Sequence, residues 1–175
     1  MSSGLQVDLN IRRLCAGKAE LSGTLKLVHF KRLAEFISAG NGNLVDVRLD
    51  FRADVYPKGL GVNGLIRGML PLECLRCGET LEFQLDSAFR FAFIENEHEE
   101  EGVTQDRDAI ILPENGMMKS IDLLEDELIL QIPMSPRHKE GETCNAREWL
   151  EADPANETHA HAEKENPFAV LKNLN

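Results

Sequence analysis

The sequence predicts an α+β fold made mainly of antiparallel strands, and three features of it carry the prediction. Apolar and polar residues alternate over Leu44 to Tyr56, Val62 to Leu72 and Thr80 to Ile94, the period of strands with one buried face. Turn-forming groups such as Pro57-Lys-Gly separate these runs by short connections, which join antiparallel neighbours and are too short for parallel crossovers. From Ser120 the period changes to 3.6, giving one principal helix over residues 120–131.

Taken in order, Val7 to Asn10 and Ala19 to Leu27 read as short alternating strands. Phe30, Leu33, Ala34 and Ile37 then fall at helical spacing, which predicts a short helix over residues 28–38 that Gly40-Asn-Gly stops. The three long alternating runs follow as a meander, which satisfies the pattern either as an open sheet or closed into a barrel. Along the third run, Phe83, Phe89, Phe91 and Phe93 read as core side chains, with stacking on nucleic-acid bases as the alternative. Glu95-Asn-Glu-His-Glu-Glu-Glu-Gly opens an acidic loop reaching to about residue 107, because so many like charges have no apolar face to bury.

In the principal helix Ser120 is the candidate N-cap and Asp122 sits in the first turn. Leu123, Leu124, Leu128 and Leu130 face the core, and Pro133 ends the helix. Glu125, Asp126 and Glu127 read as its solvated face. Residues 1–150 form a single domain on this reading, and the polar stretch 151–165 is a flexible acidic linker. Residues 166–175 form a docking segment with Pro167 at the first helical position and Phe168, Val170 and Leu171 as its apolar contacts.

A length of 175 residues with 42% hydrophobic content suffices for one core. The N-terminus has no basic stretch followed by an apolar run, and no segment nears the roughly 20 apolar residues of a membrane span. The expectation is a soluble cytoplasmic protein. The net charge is −11 and the pI about 4.9, which argues against a general nucleic-acid binder. The charge is unevenly placed, however. Through Ile94 there are 12 Lys/Arg and 10 Asp/Glu, and from Glu95 there are 7 and 20, so a near-neutral body carries acidic segments.

Cys74-Leu-Arg-Cys77 lies between two predicted strands, and Gly78 supplies the backbone freedom of a tight knuckle. A tetrahedral structural zinc needs four ligands, and His138 and Cys144 are the candidates for the other two. Ordinary reduced thiols remain the competing reading. A redox pair fits less well, since a strand follows where a thiol-activating helix N-terminus is needed. Cys15 reads as a core residue, and His159 and His161 as solvated linker residues. No nucleophile elbow, phosphate-binding Gly-rich loop or His-Glu-x-x-His helix is present, so the chain is not expected to be an enzyme.

Three stretches together resemble one family. They are Leu72-Glu-Cys-Leu-Arg-Cys-Gly, the run from Ile121 through Ile132-Pro-Met-Ser-Pro-Arg-His138 with Cys144 beyond it, and Asn166-Pro-Phe-Ala-Val-Leu. In this order they resemble the bacterial YceD family of large ribosomal RNA subunit accumulation proteins, from about Val62 to the C-terminus. The resemblance implies a role in synthesis, processing or stability of large-subunit rRNA, and neither a small-molecule substrate nor a membrane is expected as a partner. It leaves the mechanism open. On one expectation, Arg12, Arg13, Lys31, Arg32, Arg67 and Arg76 contact rRNA or a pre-ribosomal particle. On the other, the acidic stretches and the C-terminal segment bind a basic ribosomal protein or assembly factor.

Overall fold

The computed structural model describes residues 3–5, 7–38, 43–53, 55, 59–139 and 144. Residues 1–137 form one compact unit and 138–175 a second, described at His138, Lys139 and Cys144. The expected linker and docking segment, with Pro167, Phe168, Val170 and Leu171, lie outside the described residues.

The strands are β1 (Ser3–Gly4), β2 (Asp8–Asn10), β3 (Glu20–Lys26), β4 (Leu44–Ala53), β5 (Leu60–Glu73), β6 (Thr80–Ile94), β7 (Asp108–Ile111) and β8 (Met117–Lys119). Helix α1 (Ile11–Ala16) follows β2, and α2 (Ser120–Leu130) follows β8. One sheet runs in the order β1-β3-β4-β5-β6-β7, and β2 pairs with β8 in a second. The meander β3 to β6 is antiparallel as expected. The short edge strands β1 and β7 are parallel to their neighbours, so among the described residues the sheet is open rather than closed into a barrel.

Alternation decides which face is buried. Val45, Val47, Leu49 and Phe51 of β4 turn inward with Val62, Ile66 and Leu70 of β5 and with Leu85, Phe89, Phe91 and Phe93 of β6. Phe89, Phe91 and Phe93 are thus core side chains, while Phe83 is half-buried. Each such side chain contributes about 1.5–3 kcal/mol by leaving water. The register is tight where Gly64 opposes Phe89, because a Cβ at residue 64 would stand 1.9 Å from the ring.

Several local expectations are corrected. The segment over residues 28–38 is not one helix but two 3-10 turns, Leu27–His29 and Leu33–Glu35, with Phe30 extended between them. In a continuing helix the N–H groups of Arg32 and Leu33 would bond to carbonyls one turn back. Here both donate to Glu125 Oε1, at 2.7 and 3.2 Å, which lets Leu27, Phe30 and Leu33 all reach the core. Ser120 is the first helical residue and not the cap. It is buried, and its N–H donates to the Val7 carbonyl at 2.9 Å. Leu130 points outward, 76% exposed.

The carboxylates of α2 are the largest departure from the pattern. Asp126 is exposed and pairs with Arg32, but Glu125 and Glu127 are buried. Glu127 Oε1 accepts from Ser87 Oγ at 2.6 Å and from Gln131 Nε2 at 2.8 Å. Burying a carboxylate is costly unless such donors satisfy it, and both glutamates have them.

Glu125→Ala is expected to lower stability by about 1–3 kcal/mol, since it strands two backbone donors, whereas Glu125→Gln keeps an acceptor oxygen and costs less. Urea unfolding midpoints of the two variants check the difference.

Candidate functional site

The long β5–β6 pairing runs from Leu60 opposite Phe93 to Glu73 opposite Thr80, and its far end is the cysteine knuckle. The Cys74 N–H donates to the Glu79 carbonyl at 2.9 Å, and the Gly78 N–H to the Cys74 carbonyl at 2.8 Å. Gly78 has φ +75°, a left-handed conformation that a residue with a side chain adopts only at a cost. The sequence Cys-Leu-Arg-Cys-Gly therefore closes on itself and holds both sulfurs beside one turn.

The chain leaving α2 is fixed at the same place. Pro133 and Pro136 cannot continue a helix, and the Leu75 N–H donates to the Pro136 carbonyl at 2.9 Å. The next residues bring His138 and then Cys144. One ligand atom from each of Cys74, Cys77, His138 and Cys144 lies within 4.8 Å of the other three. Cys74 is fully buried, and the other three are half-buried.

This donor set fits zinc by composition and by scale. Three thiols and an imidazole are a common structural combination, and with Zn–S bonds of about 2.3 Å a tetrahedral edge is about 3.8 Å. Separations of up to 4.8 Å reach that value with small side-chain adjustments. The absence of carboxylates from the set disfavours calcium and magnesium. Held this way, a metal would lock the knuckle to the segment that follows α2, a structural rather than a catalytic role.

Cys15 lies apart from this group. It is fully buried in α1, with Sγ 3.5 Å from the Gly61 carbonyl, and burial pushes its thiol pKa up to about 11.

The structure spreads the six cationic candidates rather than collecting them. All six are exposed. Arg67 points to the outer face of the sheet, opposite the buried Ile66, and pairs with Asp86 at 3.1 Å. Arg32 pairs with Asp126 of α2, which packs against the inner face through the Ser87–Glu127 bond. Arg12 on α1 pairs with Glu95 at 2.8 Å. Among the described residues Arg13, Lys31 and Arg76 make no ion pair, and Arg76 lies within the knuckle itself. Sequence reasoning did not identify Glu125 and Glu127 as buried. The available signal was a run of carboxylates inside an apolar helix, with Gln131 four residues after Glu127.

A mainly antiparallel α+β body with a Cys/His donor set at one hairpin end defines a small sheet protein with a candidate structural metal centre. Residues 62–175, which include all four donors, match the family described as "Large ribosomal RNA subunit accumulation protein YceD". A protein of that same description from Haemophilus influenzae is 33% identical over 147 residues, covering 82% of this chain and 80% of its own. The chain belongs to the YceD family. No solved structure matches it. Among the described residues no helix is long and apolar enough to cross a membrane.

At pH 8 a thiol of pKa about 11 is roughly 0.1% thiolate, and the thiolate is the reactive species. Cys15 is therefore expected to resist alkylation in the folded protein and to react once urea unfolds it. Peptide mass mapping of the alkylated sites reads this directly.

Proposed function

We propose that this protein is a non-enzymatic ribosome-biogenesis factor that supports the accumulation of large-subunit rRNA by contacting that RNA or a pre-ribosomal particle in the bacterial cytoplasm. The observation that carries the reading is the family match, which spans the knuckle, α2 and the C-terminal signature. Exposed cations support direct RNA contact. Arg13, Lys31 and Arg76 are open to phosphate, whereas Arg12, Arg32 and Arg67 must first give up a carboxylate. In this reading Cys74, Cys77, His138 and Cys144 hold one structural zinc that fixes the segment after α2.

The charge distribution favours a second reading. From Glu95 onward the chain carries 20 acidic and 7 basic residues, a composition suited to attracting a basic ribosomal protein or assembly factor. Here the acidic stretches, with Pro167, Phe168, Val170 and Leu171 as the apolar contact, engage a protein instead of RNA.

Ultraviolet crosslinking in cells separates the two. Direct contact predicts crosslinked reads concentrated on large-subunit rRNA, reduced about tenfold in the triple variant Arg13→Glu, Lys31→Glu, Arg76→Glu. Background reads with ribosomal proteins co-purifying would remove the first reading in favour of the second.

Purified protein is expected to contain one zinc per chain by mass spectrometry of the metal. Cys74→Ser should lose it and unfold at a lower temperature, as should wild type treated with a chelator. Wild-type protein that carries no zinc, and takes none up from solution, would leave the cysteines as ordinary thiols.

A further inference from the structure

Among the described residues, none covers the inner face of the sheet out to its last strand. Helix α2 lies over β6, and between it and β7 a cavity of about 260 Å³ opens on an apolar floor of Phe91, Ile110 and Leu123. Leu130 stands at its lip, 76% exposed although it belongs to an otherwise well-packed helix. The polar part of the lining is of one sign: Asp108, Asp122, Asp126 and Glu127. Along the N-terminal end of α2 a second hollow of about 300 Å³ shares Met118 and Asp122 with the first and adds Asp8 and Lys119.

The charges here are out of balance. Five carboxylates face Lys119 and the Arg32 guanidinium bound to Asp126. Among the described residues Asp8, Asp108 and Asp122 have no ion-pair partner. On the outer face of the sheet, by contrast, Arg67 pairs with Asp86 and Arg90 with Asp106. Unmatched carboxylates around an apolar hollow repel one another, and a ligand bringing positive charge relieves that repulsion.

We propose that this groove docks a peptide segment of another protein, one bearing Lys or Arg on both sides of a single large apolar side chain. The apolar side chain enters the hollow beside Leu130, and the flanking cations meet Asp108 on one side and Asp122 and Asp8 on the other. Their aliphatic stems lie over Leu130 and Met117, which is 38% exposed. The apolar hollow of about 260 Å³ has room for one large side chain. RNA is excluded from this face by charge, since its phosphates would meet carboxylates. The proposal stands apart from rRNA contact, so the crosslinking experiment and the one below succeed or fail independently.

The test uses the full chain and a fluorescein-labelled synthetic peptide with one central Leu between short runs of Lys and Arg, read by anisotropy. Asp108→Asn with Asp122→Asn is expected to weaken binding about tenfold, and Leu130→Ser several-fold. A peptide with Ser in place of its Leu should lose a comparable factor. Neutralising the C-terminal stretch by Glu157→Gln, Glu163→Gln and Glu165→Gln should change affinity by less than about twofold. Leu130 is exposed, so its variant tests the groove even if the double variant folds poorly. Three outcomes overturn the proposal. One is loss of binding in the C-terminal variant with the groove variants unaffected. Another is equal affinity for the Leu and Ser peptides, which indicates charge attraction alone. The third is a change in sedimentation of the protein by itself in the groove variants with peptide binding intact, which makes the groove a contact between copies.

Discussion

The pairing of β5 with β6 is the constraint on which the rest of the structure depends. Its register runs unbroken from Leu60–Phe93 to Glu73–Thr80, and because side chains alternate with period two, a slip of one residue would turn Arg67, Asp86 and Arg90 into the core. Gly64 helps to exclude that slip, since the Phe89 ring occupies the space that any Cβ opposite it would need. The same ribbon fixes the face on which α2 packs, through Ser87, and delivers Cys74 and Cys77 at its turn. Sheet register and the placement of the Cys74–Cys77 pair are therefore one constraint seen at two places along the same hairpin.

Helix α2 is secured to this ribbon by polar as well as apolar contacts. Leu123, Leu124 and Leu128 bury an apolar stripe, but leucines alone tolerate small rotations and slides. Glu125 and Glu127 do not, because each must keep specific donors or leave a buried charge unsatisfied. Glu125 also replaces the helical acceptors of Arg32 and Leu33, so the segment from Leu27 to Glu35 takes its shape from a residue more than ninety positions away. With α2 fixed, the exit through Pro133 and Pro136 arrives at the knuckle, where Leu75 binds it.

How much of this was legible depends on whether the signal was local. The three long strands, the meander and α2 were readable because alternation and 3.6 periodicity repeat often enough to stand above noise. Cys74, Cys77, His138 and Cys144 were legible as a candidate set because the residue types restrict the chemistry, although the sequence could not bring the two pairs together. Helix α1, with six residues, and strands β7 and β8, with four and three, are too short to show a period. The broken helix at Phe30 and the burial of Glu125 and Glu127 were illegible for a related reason. Each is the result of a contact between distant segments, and local propensity yields to such contacts.

The outer face of the sheet illustrates why counting arginines is a poor guide to where a phosphate backbone would be drawn. Arg48, Arg52, Arg67 and Arg90 all stand on it, but each pairs with Glu20, Asp50, Asp86 or Asp106. Exposed pairs of this kind add little stability, yet they cancel the field that would draw a phosphate backbone. A phosphate arriving there must displace a carboxylate and leave it without a partner, which offsets much of what the new contact contributes. Arg13, Lys31 and Arg76 carry no such obligation to a described carboxylate, so a small number of unmatched cations can outweigh a larger number of matched ones. The same reasoning with signs reversed applies beside α2, where the unmatched groups are carboxylates and the surface between them is apolar. Net charge thus says less about this protein's partners than the places where charge is left unbalanced.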